Sequence, residues 1–195
     1  MKTKIHVSPS LLILLFAIVL SKDFSISKYV VIFVAALIHE CGHLIAARFL
    51  KIPIRCIKLD IFGAIIETDT LLCSYKKEAA LSLAGPVANI FSVAILSIFF
   101  PYFDIDFFKI VSLFFAIINL LPAKDFDGGR AVFCLLLSKL NSSMATALID
   151  ISSFLCVFIL WTISVYFIMR TGSYLSLFVF SAALFSKLFL SHKYQ

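Results

Sequence analysis

Long runs of apolar side chains, separated by short polar connections, make up most of this chain. A helix of about 20 apolar residues is long enough to cross the hydrocarbon core of a bilayer. The pattern therefore predicts about six transmembrane helices. These runs cover residues 9–20, 29–50, 79–100, 107–121, 145–168 and 174–190, and a shorter apolar piece covers 131–140.

The composition of the chain is typical of a membrane protein. Of its 195 residues, 62% are hydrophobic and only 14% are charged, which is far from the average of soluble domains. We predict an all-α polytopic membrane protein with a single membrane-embedded domain over residues 1–195. The first run also resembles a signal peptide, because Lys2 and Lys4 precede it. No small-residue cleavage signal comes before Ser21, which favours a retained span.

The basic residues predict how the spans are oriented. If six helices alternate in direction, 13 of the 17 Lys and Arg residues fall on the side that holds the N terminus. The exceptions are Lys22, Lys28, Lys109 and Arg170. Because basic residues concentrate in cytoplasmic loops, both termini are predicted to be cytoplasmic. The net charge of +6 then reflects topology and gives no reason to expect nucleic acid as a partner.

The longest polar connection, residues 51–78, lies in the cytoplasm in this topology. Residues 57–61 alternate between apolar and charged side chains, as in a strand with one apolar face. Residues 62–64 then offer a turn before a second short apolar stretch. We predict a small cytoplasmic β-hairpin over 54–69, after the second helix. A solvated loop that alternates by chance is the alternative.

The second run carries three ionisable side chains near its middle, His39, Glu40 and His43. Residues i and i+4 share one face of a helix, so both imidazoles can bind one zinc ion. The glutamate beside them can take a proton from the water that zinc activates. The alternative is a chance match in which the histidines are buried hydrogen-bonding groups. An ionisable group at the centre of a bilayer costs about 3 kcal/mol or more, which favours the functional interpretation.

A candidate third metal ligand follows the fourth run. Pro122 ends the helix, and Gly128 and Gly129 release the backbone, so irregular chain is predicted close to membrane depth. The second and fourth spans run in the same direction, which brings Asp127 toward the membrane end near the two histidines. Two histidines, one carboxylate and a water complete a tetrahedral catalytic site with one zinc ion per chain. Asp125 is interpreted as a solvated or ion-paired neighbour.

Other polar residues within the runs leave their roles open. Asn89 needs a partner inside lipid, which either a structural hydrogen bond between helices or a direct role in chemistry provides. Asp150 is interpreted as an interfacial charge, and Ser142 and Ser143 as caps of the fifth helix. The five cysteines show no Cys-x-x-Cys pairing and are interpreted as small packing residues. Cys41 points about 200° away from the first motif histidine.

Three motifs together resemble those of the site-2 protease family of intramembrane zinc metalloproteases. The Asn-x-x-Pro motif with its Asp-Gly is more specific than the His-Glu-x-x-His pattern alone. The set spans residues 39–128 and leaves the last two predicted helices unmatched. The compact layout is most similar to the branch that includes a sporulation protease processing a sigma-factor precursor. The motifs are His39-Glu40-Cys41-Gly42-His43, Gly85-Pro86-Val87-Ala88-Asn89, and Asn119-Leu120-Leu121-Pro122 followed by Asp127-Gly128.

The resemblance implies a role for each of these residues. It implies that His39, His43 and Asp127 bind zinc. It also implies that Glu40 is the general base and acid, and that Asn119 positions the substrate or polarises its carbonyl. The predicted hairpin would add an edge to an unwound substrate strand, which satisfies the backbone groups released from the substrate helix.

The resulting expectation is an endopeptidase that cuts a membrane-embedded or membrane-associated protein near the cytoplasmic face of a bacterial inner or cell membrane. Its expected partners are that substrate, the lipid bilayer and a membrane regulatory protein. Neither a PDZ domain nor a C-terminal nucleotide-sensing domain is expected. The alternative is a non-hydrolytic membrane protein that binds or transports zinc, but the ionisable residues cluster at one depth. A prenyl-protein protease is disfavoured because its third ligand is usually Glu.

Overall fold

The computed structural model describes residues 4–7, 26–52, 54–60, 63–68, 74–100 and 105–171, together with 178, 181, 182, 184 and 185; for the strands it describes the backbone alone. The chain divides into two compact units, residues 1–120 and 121–195. Among the described residues, the first unit contains β1 (Lys4–Val7), α1 (Ile26–Phe49), β2 (Ile54–Asp60), β3 (Gly63–Thr68), α2 (Tyr75–Phe99) and α3 (Asp106–Asn119). The second contains α4 (Asp127–Leu137) and α5 (Ser142–Thr171).

Three of the described helices, α1, α2 and α5, are long and apolar enough to cross a membrane. The helix α3, which was predicted as a span, has only 14 residues. Its length of about 21 Å is shorter than a hydrocarbon core of about 30 Å. The predicted run 9–20 lies outside the described residues, as does most of 174–190. The structure therefore supports a polytopic membrane protein, and the number of six spans stays a prediction.

The membrane-length helices keep most of their apolar side chains on the outside. Only 22%, 28% and 17% of their most apolar stretches are buried within the protein. Phe33 on α1, Ile98 on α2 and Met169 on α5 are 65%, 72% and 82% exposed. A soluble protein rarely exposes large apolar surfaces of this kind. These helix faces are therefore suited to contact with lipid acyl chains.

The described strands form a sheet with the order β1-β2-β3. β2 and β3 are antiparallel and lie where the alternating pattern predicts a hairpin. The predicted turn at 62–64 is wrong in position, because Gly63 already pairs with Asp60 within the sheet. β1 pairs with β2 in parallel, which the sequence analysis missed because four alternating residues are too few to stand out. The described fold is thus helical with a small sheet, in which β1 adds a third strand beside the β2–β3 pair.

The helices α1 and α2 approach each other closely at Gly42. A Cβ atom added at this position would lie 2.6 Å from the carbonyl oxygen of Ala84 and 2.6 Å from the Cβ atom of Ala88. Only glycine therefore fits between the two backbones. Both helices also pack against α3. The buried face of α1 consists of Ala35, His39, Gly42, His43 and Ala47, so both motif histidines face the packed interior of the first unit.

The C-terminal end of α1 is a Schellman-type turn. Lys51 adopts a left-handed conformation with φ of 56°. The N–H of Ile52 donates to the carbonyl of Ala47 over 2.9 Å, and the N–H of Lys51 donates to Arg48 over 3.2 Å. Ile52 is buried in a cluster with Ala47 and Leu81. This turn anchors the chain against α2 where it leaves α1 toward the sheet.

In the second unit, α5 begins with an asparagine cap. The side-chain Oδ1 of Asn141 accepts a hydrogen bond from the N–H of Met144 over 2.9 Å. The prediction that Ser142 and Ser143 cap this helix is therefore wrong, because both residues already belong to its first turn. Asparagine is among the preferred capping residues because its short side chain reaches the third N–H of the helix.

Candidate metal centre

The structure brings together two of the predicted site residues, His39 and His43. Their side chains are 5% and 6% exposed and lie one turn apart on α1. The ring centroids are 4.9 Å apart in an edge-to-face arrangement. The two Nε2 atoms face each other at 3.2 Å. The helical spacing thus places two potential ligand atoms side by side in the protein interior.

The spacing of these two nitrogen atoms fits a zinc ion. Two nitrogen ligands of a tetrahedral zinc, each about 2.0–2.1 Å from the metal, lie about 3.3 Å apart. The observed separation of 3.2 Å between Nε2 of His39 and Nε2 of His43 is close to this value. Imidazole is also one of the ligand types that zinc prefers. The pair therefore satisfies both the chemical and the geometric requirement for two of the ligands.

The other nitrogen of each ring, Nδ1, contacts α2. The Nδ1 atom of His43 lies 2.9 Å from the carbonyl oxygen of Leu81, which can only accept, so Nδ1 carries a hydrogen. Nε2 of His43 then keeps the lone pair that a metal requires. The Nδ1 atom of His39 lies 3.4 Å from the side-chain nitrogen of Asn89, which is fully buried.

Gly85 provides space for the ligand atoms. A Cβ atom added to Gly85 would overlap Nε2 of His43 and lie 2.7 Å from Nε2 of His39. Any side chain at this position would therefore push at least one ring away. The sequence analysis gave this glycine no role of its own at the metal site. Its position in the Gly-Pro motif was the available signal.

Glu40 and Cys41 follow His39 on α1 and differ in exposure. Glu40 is half-buried, whereas Cys41 is exposed. The exposure of Cys41 agrees with its predicted direction away from the histidines, and it excludes this thiol from the centre that they form.

Asn119 is the last residue of α3 and is half-buried. Its side-chain nitrogen donates a hydrogen bond to the carbonyl oxygen of Phe115 over 3.0 Å, so the amide lies against its own helix. The role in substrate positioning that the sequence suggests for Asn119 therefore stays a prediction.

Asp127 belongs to the second unit, where it is the first residue of α4. A carboxylate in the first turn interacts favourably with the positive end of the helix dipole. Just before it, the N–H of Phe126 donates to the carbonyl of Ala123 over 2.9 Å. The structure thus gives this residue a defined backbone position, and its role as a third metal ligand stays a prediction.

The loop that precedes Asp127 is attached to α5. The side chain of Lys124 forms an ion pair with Asp150. The N–H of Lys124 donates to the hydroxyl of Ser153 over 2.9 Å, and the hydroxyl of Ser152 donates to the carbonyl of Pro122 over 2.6 Å. The sequence analysis interpreted Asp150 as an interfacial charge and missed these contacts. They hold the backbone of the loop at a defined place on α5.

Comparison with known proteins identifies relatives of the chain. No protein-family model matches it. A zinc metalloprotease of Methanocaldococcus jannaschii is 27% identical over 119 residues, which cover 57% of this chain and 34% of that protein. Stage IV sporulation protein FB of Bacillus subtilis is 30% identical over 160 residues, which cover 78% of this chain and 54% of that protein. The chain therefore spans about a third and about half of the lengths of these relatives.

The fold is similar to that of a solved site-2 protease from Methanocaldococcus jannaschii. The two structures align with a TM-score of 0.66 and 19% sequence identity, over 94% of this chain and 88% of that chain. This likeness establishes the fold. The two relatives show a similarity in sequence as well. In its fold, its relatives and the three motifs that it carries, the chain is similar to the site-2 protease family.

Proposed function

We propose that this chain is an intramembrane zinc metalloendopeptidase that cuts a membrane-embedded or membrane-associated protein. The observation that carries the proposal is the pair of Nε2 atoms of His39 and His43, 3.2 Å apart within a helix of membrane length. Ionisable groups inside a membrane-spanning helix cost free energy and are retained mainly for function. The name of one relative, a zinc metalloprotease, and the similarity to the site-2 protease family support the same activity.

In this proposal, His39, His43 and Asp127 hold one zinc ion per chain. The two imidazoles supply nitrogen ligands, and the carboxylate of Asp127 supplies the third, as its Asp-Gly motif implies. Three protein ligands leave the fourth position of a catalytic site open. When bound, zinc supplies a Lewis acid that makes water easier to deprotonate and polarises the scissile carbonyl.

Glu40 acts as the general base and then as the general acid. Its carboxylate accepts a proton from the water that attacks the peptide carbonyl and returns that proton to the amine that leaves. The side chain thus ends the cycle in its initial ionisation state. Asn119 orients the substrate or donates to its carbonyl oxygen. For that purpose, its amide exchanges the present hydrogen bond to Phe115 for one to the substrate.

The substrate is presented as an extended strand. A transmembrane helix hides its peptide bonds, and opening it releases backbone groups that need new partners. In the order β1-β2-β3, β2 lies between the other two strands, so the outer edge of β3 is available for strand addition among the described strands. We propose that a substrate segment pairs there, near the cytoplasmic face. The similarity to the sporulation branch suggests a regulatory precursor, such as a sigma-factor proprotein, as the substrate.

The Glu40→Gln variant tests the proposed activity. We expect wild type and variant, purified in the same detergent, each to contain one zinc per chain by elemental mass spectrometry. We expect cleavage of a panel of single-span membrane proteins and sigma-factor precursors to fall by about 10²-fold or more in the variant, because an amide cannot act as the base. A variant that cleaves at the wild-type rate would exclude Glu40 from the mechanism.

Asp127→Asn and Asp125→Asn provide a matched pair in the same experiment. We expect zinc retention to fall in Asp127→Asn and to stay unchanged in Asp125→Asn. Unchanged zinc content and activity in Asp127→Asn would remove this residue from the site. If wild type binds zinc but cleaves no member of the panel, the result would favour the alternative of a non-hydrolytic zinc-binding or zinc-transport protein.

A further inference from the structure

The side chain of Asn89 carries a buried polar atom that its present contacts do not explain. The residue is fully buried on α2, and its Nδ2 atom lies 3.4 Å from Nδ1 of His39. Its Oδ1 atom has no hydrogen-bond partner. Leaving a buried acceptor unsatisfied costs about 1–3 kcal/mol, a cost that an apolar residue of similar size would not carry. We therefore expect this amide oxygen to accept a hydrogen bond when the side chain of Asn89 takes another orientation.

One nitrogen of each histidine ring faces a polar group of α2. Nδ1 of His43 donates to the carbonyl of Leu81 over 2.9 Å, which suits a ring whose Nε2 binds a metal. Nδ1 of His39 lies 3.4 Å from Nδ2 of Asn89, so this orientation of the amide suits a ring whose Nδ1 is an acceptor.

A metal bound to both Nε2 atoms requires a different arrangement at His39. Its Nε2 atom must present a lone pair, so the hydrogen must be on Nδ1. The Nδ1 hydrogen would then face the NH₂ group of Asn89, and two donors cannot form a hydrogen bond. The carbonyl of Leu81 already suits the metal-binding tautomer of His43, so the conflict is confined to His39.

We propose that Asn89 is a positioning residue that adapts to metal binding by turning its side-chain amide. A turn of about 180° exchanges the places of Nδ2 and Oδ1, which have nearly the same size, and α2 need not move. Oδ1 then accepts the hydrogen of Nδ1 and holds Nε2 of His39 toward the metal. This inference rests on the zinc site proposed above.

The spacing along α2 supports this role. Leu81, Gly85 and Asn89 are four residues apart and therefore lie along one side of the helix. The carbonyl of Leu81 contacts His43, the amide of Asn89 contacts His39, and Gly85 leaves room at both Nε2 atoms between them. One strip of α2 thus contacts both rings, and its glycine lies against their Nε2 atoms.

Two variants of Asn89 with opposite hydrogen-bonding properties test the proposal. Asn89→Leu keeps the number and branching of the side-chain heavy atoms but removes the acceptor, whereas Asn89→Asp presents an oxygen in either orientation. Zinc affinity is measured in detergent by competition with a chromogenic chelator, and the ligand field is measured by cobalt(II) absorption. We expect about 10–100-fold weaker zinc binding in Asn89→Leu, the usual effect of removing an outer-shell partner, and about wild-type binding and cobalt spectrum in Asn89→Asp.

Ser82→Ala is the matched control. Ser82 is also buried on α2 and its hydroxyl has no hydrogen-bond partner, so this variant removes a buried polar atom that is not placed against a ring nitrogen. We expect unchanged zinc affinity. Thermal unfolding of the metal-free proteins shows whether a loss of zinc binding arises from general destabilisation.

Two results would overturn the inference. One is wild-type zinc affinity in Asn89→Leu. The other is an equal loss of affinity in Asn89→Leu and Asn89→Asp together with equal destabilisation of the metal-free proteins, which would show a packing role alone. Failure of the zinc site itself is distinguishable, because wild type and His39→Ala would then bind zinc equally weakly.

Discussion

At the scale of single residues, the histidine pair depends on neighbours that have no catalytic chemistry of their own. A backbone carbonyl at Leu81 orients His43, and the absence of a side chain at Gly85 keeps the two Nε2 atoms accessible. Neither feature adds a charge to the membrane interior, where charge is costly. The two imidazole rings are therefore held in place largely by the shape of α2 and by one of its backbone carbonyl groups.

Gly85→Ala tests this dependence on shape. The added Cβ atom would overlap Nε2 of His43, so we expect roughly tenfold or weaker zinc affinity, as for other displacements of a ligand. Alanine favours a helix over glycine by about 1 kcal/mol, so lower helix propensity cannot cause the loss. The measurement is chelator competition, with Val87→Ala as the control because Val87 is 57% exposed. Wild-type affinity in Gly85→Ala would show that the rings move aside without consequence.

At the scale of secondary-structure elements, the ends of helices determine where the functional segments begin. α1 ends in a turn that packs Ile52 against α2, and the loop before α4 is held to α5 by Lys124, Ser152 and Ser153. Both connections use hydrogen bonds that satisfy backbone groups at a helix end or in irregular chain. They allow irregular backbone to hold a defined position beside apolar helices.

The turn after α1 gives a prediction about stability. Lys51 has a positive φ, which costs a residue with a side chain roughly 1 kcal/mol and glycine far less. We expect Lys51→Gly to raise the free energy of unfolding by about 0.5–1 kcal/mol, or the Tm by about 1–4 °C. Lys51→Ala removes the charge but keeps the Cβ atom, so it should show no such gain. Equal Tm values for the two variants would contradict this account of the turn.

At the scale of the whole molecule, the arrangement in the membrane follows from the apolar helix surfaces and the distribution of basic residues. The described helices α1, α2 and α5 have membrane length, and most of their apolar surface is exposed. Thirteen of 17 basic residues fall on one side in a six-span topology. Because basic loops are retained in the cytoplasm, this six-span topology predicts that both termini are cytoplasmic.

Fusions of topology reporters test this arrangement. We expect alkaline phosphatase, which is active only outside the cytoplasm, to be inactive when fused after residue 195 or within 69–73. We expect it to be active when fused within 101–104, between α2 and α3. Green fluorescent protein at the same positions should give the opposite pattern. Phosphatase activity at residue 195 would contradict the prediction that the C terminus is cytoplasmic.

Much of the fold was accessible from local pattern because membrane helices follow simple rules. Apolar length predicted α1, α2 and α5, although α2 begins at Tyr75 rather than 79. The earlier start has a local reason, since Lys76, Lys77 and Glu78 are good helix formers outside the apolar run. The short strand β1 was missed because its pairing with β2 joins residues about 50 positions apart, which no local pattern reveals.

The sequence by itself determined which side chains of α1 share a face, because the helical period relates His39 to His43 without reference to any other element. Only the tertiary structure decided what meets that face. The contacts of Leu81, Gly85 and Asn89 with the rings depend on the register of α2 against α1, and the pairing of Asp150 with Lys124 depends on how the loop packs on α5. Such contacts result from the shapes of whole packed surfaces, which local periodicity does not encode.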